Sequence, residues 1–168
     1  MQNYSVLMSV YHKEKPEYLR QAIESIQAQT LSTNDFVLVC DGPLNEPLDS
    51  VIAAKQQEMG ESLNVVRLAK NGGLGNALNE GIKHCKNELV ARMDSDDIAY
   101  PDRCEKQIAV FNIHSEVSIC SGIVEEFTTD PHTVDTRRVP PETNAEIVEF
   151  AKKRNPFNPV SYTHLRAH

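Results

Sequence analysis

Short apolar runs, each of strand length, alternate along this chain with longer stretches whose apolar residues recur at helical spacing. That alternation constrains the fold more than any other feature. Tyr4–Val10 (YSVLMSV), Phe36–Cys40 (FVLVC), Leu63–Leu68, Leu89–Met93 (LVARM) and Val117–Val124 read as strands, and Val134–Val139 as another. Between them, Pro16 suits a first helical turn, where its missing N–H is no loss. Leu19, Ile23 and Ile26 follow on one face, so the spacing predicts an amphipathic helix over 16–29. Leu48, Val51 and Ile52 mark a second helix over 47–58, and Leu74, Leu78, Ile82 and Cys85 form the stripe of a third. Pro101 opens a fourth with Cys104, Ile108 and Phe111 inward, and Thr143 with Glu146 makes a capping box before a short helix carrying Ile147 and Phe150. Strands joined by crossover helices must pair in parallel and be covered on both faces. The fold class is therefore α/β, with a mostly parallel, Rossmann-like sheet.

The chain has 168 residues, enough for one domain with a core that needs no disulfide staples. Its formal net charge of -7, with no long run of Lys or Arg, argues against a nucleic-acid partner. Cys40, Cys85, Cys104 and Cys120 show no C-x-x-C spacing and sit in apolar stretches. They read as small buried hydrophobes in a reducing cytoplasm and not as zinc ligands or redox centres. No signal peptide and no apolar run of about 18 residues is present, so no transmembrane segment is expected.

Ligands of such sheets bind at the carboxyl ends of the strands. Strand one ends at Val10-Tyr11, strand two at Asp41, strand three at Asn71 with its glycines, and strand four at Asp94-Ser95-Asp96-Asp97. Three carboxylates within four residues repel one another, and a hard divalent cation, Mg²⁺ or Mn²⁺, offsets that repulsion. In an extended stretch Asp94 and Asp96 can share a face. A solvated turn in which Asp97 caps the next helix would use the same residues. The Asn71-Gly72-Gly73-Leu74-Gly75 turn could bring backbone amides to a diphosphate at a helix N-terminus, or could only need positive φ. Asp41 could bond a base or ribose, or simply form an Asp-Gly turn.

Several chemistries are excluded. The dinucleotide fingerprint fails because Leu78 stands where its third glycine belongs and the turn follows strand three. No G-x-S-x-G and no Walker loop occurs. A sugar nucleotidyltransferase needs a glycine- and lysine-rich loop after strand one, where His12-Lys13-Glu14-Lys15 has no glycine. His84, His114 and His132 read as surface residues, and His12 has no evident partner.

Taken together, Ser5–Tyr11, Glu14, Pro16–Leu19, Gln29-Thr30, Asp41–Leu44, Asn71–Asn79 with Gly81, Ala91–Asp97 and Arg154–Asn158 resemble the inverting family 2 glycosyltransferases. The subgroup is the one that builds bacterial exopolysaccharide and O-antigen, such as the amylovoran glycosyltransferases. The resemblance covers residues 4–158 and implies a GT-A fold. It implies a hexosyltransferase that moves a sugar from a nucleotide-diphospho-sugar, usually a UDP-sugar, to a glycan or lipid-linked glycan acceptor. By the same resemblance, Val10, Tyr11 and Glu14 line the nucleotide pocket and Asp41 pairs with the base. Asn71 lies near the nucleotide, Asp94 and Ser95 lie beside the ribose or diphosphate, and Asp96 binds Mn²⁺ or Mg²⁺. It places the longer parent at the inner face of the membrane by peripheral association. The family's catalytic base, an acidic residue, is expected beyond residue 158. Residues 1–158 thus read as an incomplete nucleotide-sugar-binding domain, and 159–168 as a foreign tail that matches nothing in the family. The alternative function is a binding fragment without transfer activity, with an open sheet edge beside the fourth strand.

Overall fold

The computed structural model describes residues 3–157 and 161–166. At its centre is β1 (Tyr4–Val10), flanked in parallel by β2 (Phe36–Cys40) and β4 (Leu89–Asp94), with β3 (Leu63–Arg67) outside β2. Met8 lies opposite Leu38 on one side and Met93 on the other. All five residues of β2 are buried, as are all but the last of β4. Strands covered on both faces have no polar side to show, which is why they read as unbroken apolar runs.

The two faces are covered unequally. α1 (Pro16–Gln27), α2 (Glu46–Met59) and α4 (Arg103–Ile113) pack on one face, over Val6, Met8, Leu38, Ala91 and Met93. α3 (Leu74–Gly81) packs on the other, where Ala77 and Cys85 meet Leu7, Val37, Val39 and Val90. Pro16 opens α1, and Asn45 caps α2 by accepting from the Leu48 amide at 3.1 Å. The third helix is shorter than its stripe suggests: after Gly81 it tightens into a 3₁₀ turn over Ile82–His84. Cys40, Cys85 and Cys104 are buried free thiols and Cys120 is half-buried. Burial pushes the Cys40 thiol up to about 11 and that of Cys85 up to about 12, so both stay protonated at neutral pH.

Beyond α4 the structure departs from the pattern. The run expected as one strand over Val117–Val124 breaks at Gly122-Ile123 into β5 (Ile119–Ser121) and β6 (Val124–Glu126). β5 joins the main sheet, while β6 pairs with β7 (Thr136–Arg138) in a separate antiparallel hairpin. Glycine offers no side chain to pack in a strand, and the chain changes sheets there. α5 (Asn144–Ala151) begins with the expected capping box, Thr143 and Glu146 each accepting the other's backbone N–H.

From sequence, residues 159–168 stand apart from the domain. In the structure, β8 (Tyr162–Leu165) lies between β4 and β5, antiparallel to both. The edge of β4 is therefore paired and not open. Alternation within YTHL turns Thr163 inward, where its hydroxyl donates to Gln107 Oε1 at 2.8 Å and is fully buried. The Gln107 amide in turn donates to the Ser161 carbonyl at 3.0 Å. Asn158, where the expected boundary falls, lies outside the described residues.

Gly81 sits where α3 touches the sheet, and a Cβ there would come within 2.5 Å of both Leu7 Cδ1 and Val39 Cγ2. Gly81→Val should therefore lift α3 from the sheet and lower stability by about 1–3 kcal/mol. Urea unfolding monitored by circular dichroism measures it, and an unchanged midpoint would contradict this packing.

Candidate functional site

Because β1, β2 and β4 are parallel neighbours, their carboxyl ends finish along one edge. A cleft of about 430 Å³ opens there. Val10 and Tyr11 enter it from the end of β1, Glu14 from the turn before α1, and Asp41 from the end of β2. Asn71 enters from the loop after β3, and Asp94, Ser95 and Asp96 from the end of β4. The structure thus brings all eight sequence-derived candidates to one cleft. Ser9, Gly73 and Leu74 line it as well. Ser9 was legible as the residue before the strand end. Gly73 and Leu74 belong to the glycine turn that the sequence already places at this edge.

Asp41 is only 4% exposed. Its two carboxylate oxygens accept the Gly72 and Gly73 amides at 2.8 and 2.9 Å, and its carbonyl accepts from Asn71 Nδ2 at 3.2 Å. Gly42 has φ 84°, and a Cβ there would fall 2.5 Å from the Asn71 nitrogen. The end of β2 and the glycine loop are therefore clamped together, with a glycine required at their closest approach. Two of the amides that the sequence offers to a diphosphate are bonded to Asp41 instead. Asp41 is more than an Asp-Gly turn: it sets the wall of the cleft.

Asp94, Asp96 and Asp97 each present a carboxylate oxygen, and these oxygens lie within 4.8 Å of one another. Burial pushes Asp97 up to about 6, and the charges of Asp96 and Asp94 push the same way. Asp94 is raised too, chiefly by burial, against the downward pull of Arg92. Asp97 does not cap α4, because Asp102 holds that position, without a side-chain capping bond. Instead Asp97 Oδ2 is buried with no hydrogen-bond partner among the described residues. A buried oxygen without a donor, beside two further carboxylates, is the donor set that suits a hard divalent cation.

Two contacts brace this turn. The Ser95 hydroxyl donates to Glu14 Oε2 at 2.9 Å, tying the end of β4 to the approach of α1. Arg92, 3% exposed, donates to Asp94 Oδ1, and its guanidinium lies 5.8 Å from the Tyr162 ring centre. Arg92 is a residue that the sequence reading passed over. Its signal was a charge inside a strand buried on both faces, a place where an arginine needs an acidic partner. His12 is exposed beside the cleft, its carbonyl accepting from Asn45 Nδ2 at 3.0 Å, and His84, His114 and His132 are exposed as expected.

The family model described as glycosyl transferase family 2 matches residues 5–166. The amylovoran biosynthesis glycosyltransferase AmsE of Erwinia amylovora is 45% identical over 155 residues, covering 92% of this chain and 57% of its own length. The Escherichia coli UDP-Gal:alpha-D-GlcNAc-diphosphoundecaprenol beta-1,3-galactosyltransferase is 36% identical over 155 residues, 92% of this chain and 55% of its own. The chain thus spans little more than half the length of these curated relatives. Among solved structures, S. aureus TarS 1–349 in complex with UDP-GlcNAc superposes with a TM-score of 0.57 at 26% identity, covering 72% of this chain and 33% of that one.

Asp41→Ala should leave the Gly72 and Gly73 amides without their acceptor and lower stability by about 1–3 kcal/mol. Thermal unfolding of the two proteins tests it. A melting temperature equal to wild type would show that water replaces the carboxylate at no loss.

Proposed function

The chain belongs to glycosyl transferase family 2 and has the GT-A fold, and from that membership we propose that these residues hold the nucleotide-diphospho-sugar donor, a UDP-sugar, together with a divalent metal ion. The observation that carries this reading is the convergence of Asp94, Asp96 and Asp97 on one point beside the strand-end cleft. In it, Val10 and Tyr11 flank the nucleoside, Asp41 and Asn71 meet the base or ribose, and Asp94 and Ser95 stand beside the diphosphate. Asp96 holds the cation with Asp97, whose partnerless oxygen supports adding it to the expected ligand. Arg92 donates to Asp94 and opposes the effect of burial on its carboxyl, and Glu14 keeps Ser95 in place. A bound Mn²⁺ or Mg²⁺ would stabilise charge on the departing diphosphate as a Lewis acid.

The whole protein would transfer the sugar to a glycan or lipid-linked glycan in bacterial surface-polysaccharide synthesis, in keeping with the names of the E. amylovora and E. coli relatives. The acceptor hydroxyl needs a base, and a positioned base is worth about 10²–10⁴-fold. Near the carboxylate cluster, Glu125 is engaged by Tyr100 and Arg137, and Glu126 by Thr136 and Arg138. Their engagement supports placing the base in the part of the whole protein beyond residue 158. Donor binding by this stretch is then separable from transfer. No helix of the described residues is long and apolar enough to cross a membrane. The parent's place at the inner membrane face is part of the proposal.

UDP should bind at least about tenfold more weakly in chelator than in Mn²⁺, since a diphosphate beside three carboxylates needs a bridging cation. Asp96→Ala should remove the difference. Titration calorimetry under both conditions checks this, and equal affinity with and without metal would sink the metal role.

A further inference from the structure

Asn71 and Gly72 form the only Asn-Gly pair in the sequence. Both are exposed in the loop between β3 and α3, and Asn71 lines the strand-end cleft. The pair has a chemistry of its own. A backbone nitrogen that follows an asparagine can attack the side-chain carbonyl carbon, and glycine, with no Cβ, leaves that nitrogen least hindered. The bond that forms joins Gly72 N to Asn71 Cγ. The Cγ–Nδ2 bond breaks, and Nδ2 leaves as ammonia with the proton that Gly72 N gives up. Water then opens the cyclic imide at one of its two carbonyls. Cleavage of N–Cγ leaves aspartate at position 71, and cleavage of the main-chain N–C bond leaves isoaspartate, whose backbone runs through Cγ. Nothing but water is consumed.

The fold restrains both reacting groups. Gly72 N attacks only after losing its proton, and that N–H donates to Asp41 Oδ1 at 2.8 Å. A carboxylate acceptor stabilises the N–H and opposes the negative charge that its removal would create. Asn71 Nδ2, the leaving group, donates to the Asp41 carbonyl at 3.2 Å, which fixes the side chain's orientation. Asp41 is itself held, being buried and accepting the Gly73 amide at 2.9 Å with its other oxygen. The products fit this place badly. An acid oxygen in place of Nδ2 has no proton to offer the Asp41 carbonyl, and it adds a negative charge beside the Asp41 carboxylate. Isoaspartate lengthens the main chain where there is no slack, since even a Cβ on Gly42 would fall 2.5 Å from the Asn71 nitrogen.

We propose that Asn71-Gly72 is a site of spontaneous deamidation that Asp41 holds shut, and that conversion unfastens the loop after β3 from the end of β2, and with it the wall of the cleft. The modification is independent of what the cleft binds. Only its effect on the nucleotide rests on the donor-binding reading above.

Peptide mapping by mass spectrometry, after incubation of the full chain in mildly alkaline buffer, reads conversion as the mass gain of amide to acid at Asn71. Native wild type should convert at least about tenfold more slowly than the same chain unfolded in urea, the order expected of a hydrogen bond to a charged group. Asp41→Ala should lose most of that protection while circular dichroism shows it folded. Asp41→Asn keeps the side chain's shape with one neutral acceptor and should convert at an intermediate rate, and it decides the matter if Asp41→Ala does not fold. Native wild type converting as fast as the unfolded chain, or a folded Asp41 variant converting no faster than wild type, would overturn the site. Converted protein, separated by ion exchange, should bind UDP in Mn²⁺ at least about tenfold more weakly than unconverted protein. Equal binding by the two forms would overturn the link to the cleft. Wild type that binds no UDP would remove the donor-binding reading instead, and the conversion rates would still decide the deamidation site.

Discussion

β1 is hydrogen-bonded to β2 on one side and β4 on the other, in parallel register. In a buried strand each backbone N–H and C=O must find a partner, and along most of β1 the two neighbouring strands supply it. The register is therefore not free to slide, and it sets where each strand stops. Val10, Cys40 and Asp94 end at one edge because Val10 faces Cys40 and Ser9 faces Asp94 across the pairs. Everything that follows in the site is attached to those three ends.

Two clamps convert three loose strand ends into a shaped cleft. One is the Asp41 carboxylate on the Gly72 and Gly73 amides, which draws the loop after β3 across β2. The other is the Ser95–Glu14 bond, which draws the approach to α1 against the turn after β4. Each joins segments far apart in sequence through a short polar contact, so the cleft is preorganised before any ligand enters. The carboxylate cluster is the opposite kind of feature. Its raised Asp94 and Asp97 show that the fold places charge where burial and mutual repulsion oppose it. Local conflict of that sort concentrates at sites built for a ligand.

Arg92 joins these two themes. The buried Arg92 donates to Asp94 and partly answers the charge of the cluster. Its position over the Tyr162 ring also links the cluster to β8, the strand that pairs the outer edge of β4. The sheet edge and the site are thus parts of one packed unit.

What the sequence determined by itself is the set of elements and the edge on which chemistry gathers. YSVLMSV, FVLVC and LVARM are legible because strands buried on both faces are mostly apolar, and Pro16 and Thr143 mark helix starts through local backbone chemistry. Val10, Tyr11, Asp41, Asn71, Asp94, Ser95 and Asp96 were legible because parallel strands put their ends together, whereas Glu14 entered only through the family resemblance. Tertiary structure alone decided what depends on contacts distant in sequence. It gave Asp41 two amide partners some thirty residues away, left Asp97 half-buried with one enclosed oxygen instead of capping α4, and divided Val117–Val124 between two sheets. It also set Tyr162–Leu165 into the sheet, since a four-residue alternating segment carries too little pattern to name its neighbours until β4 and β5 offer free edges on either side.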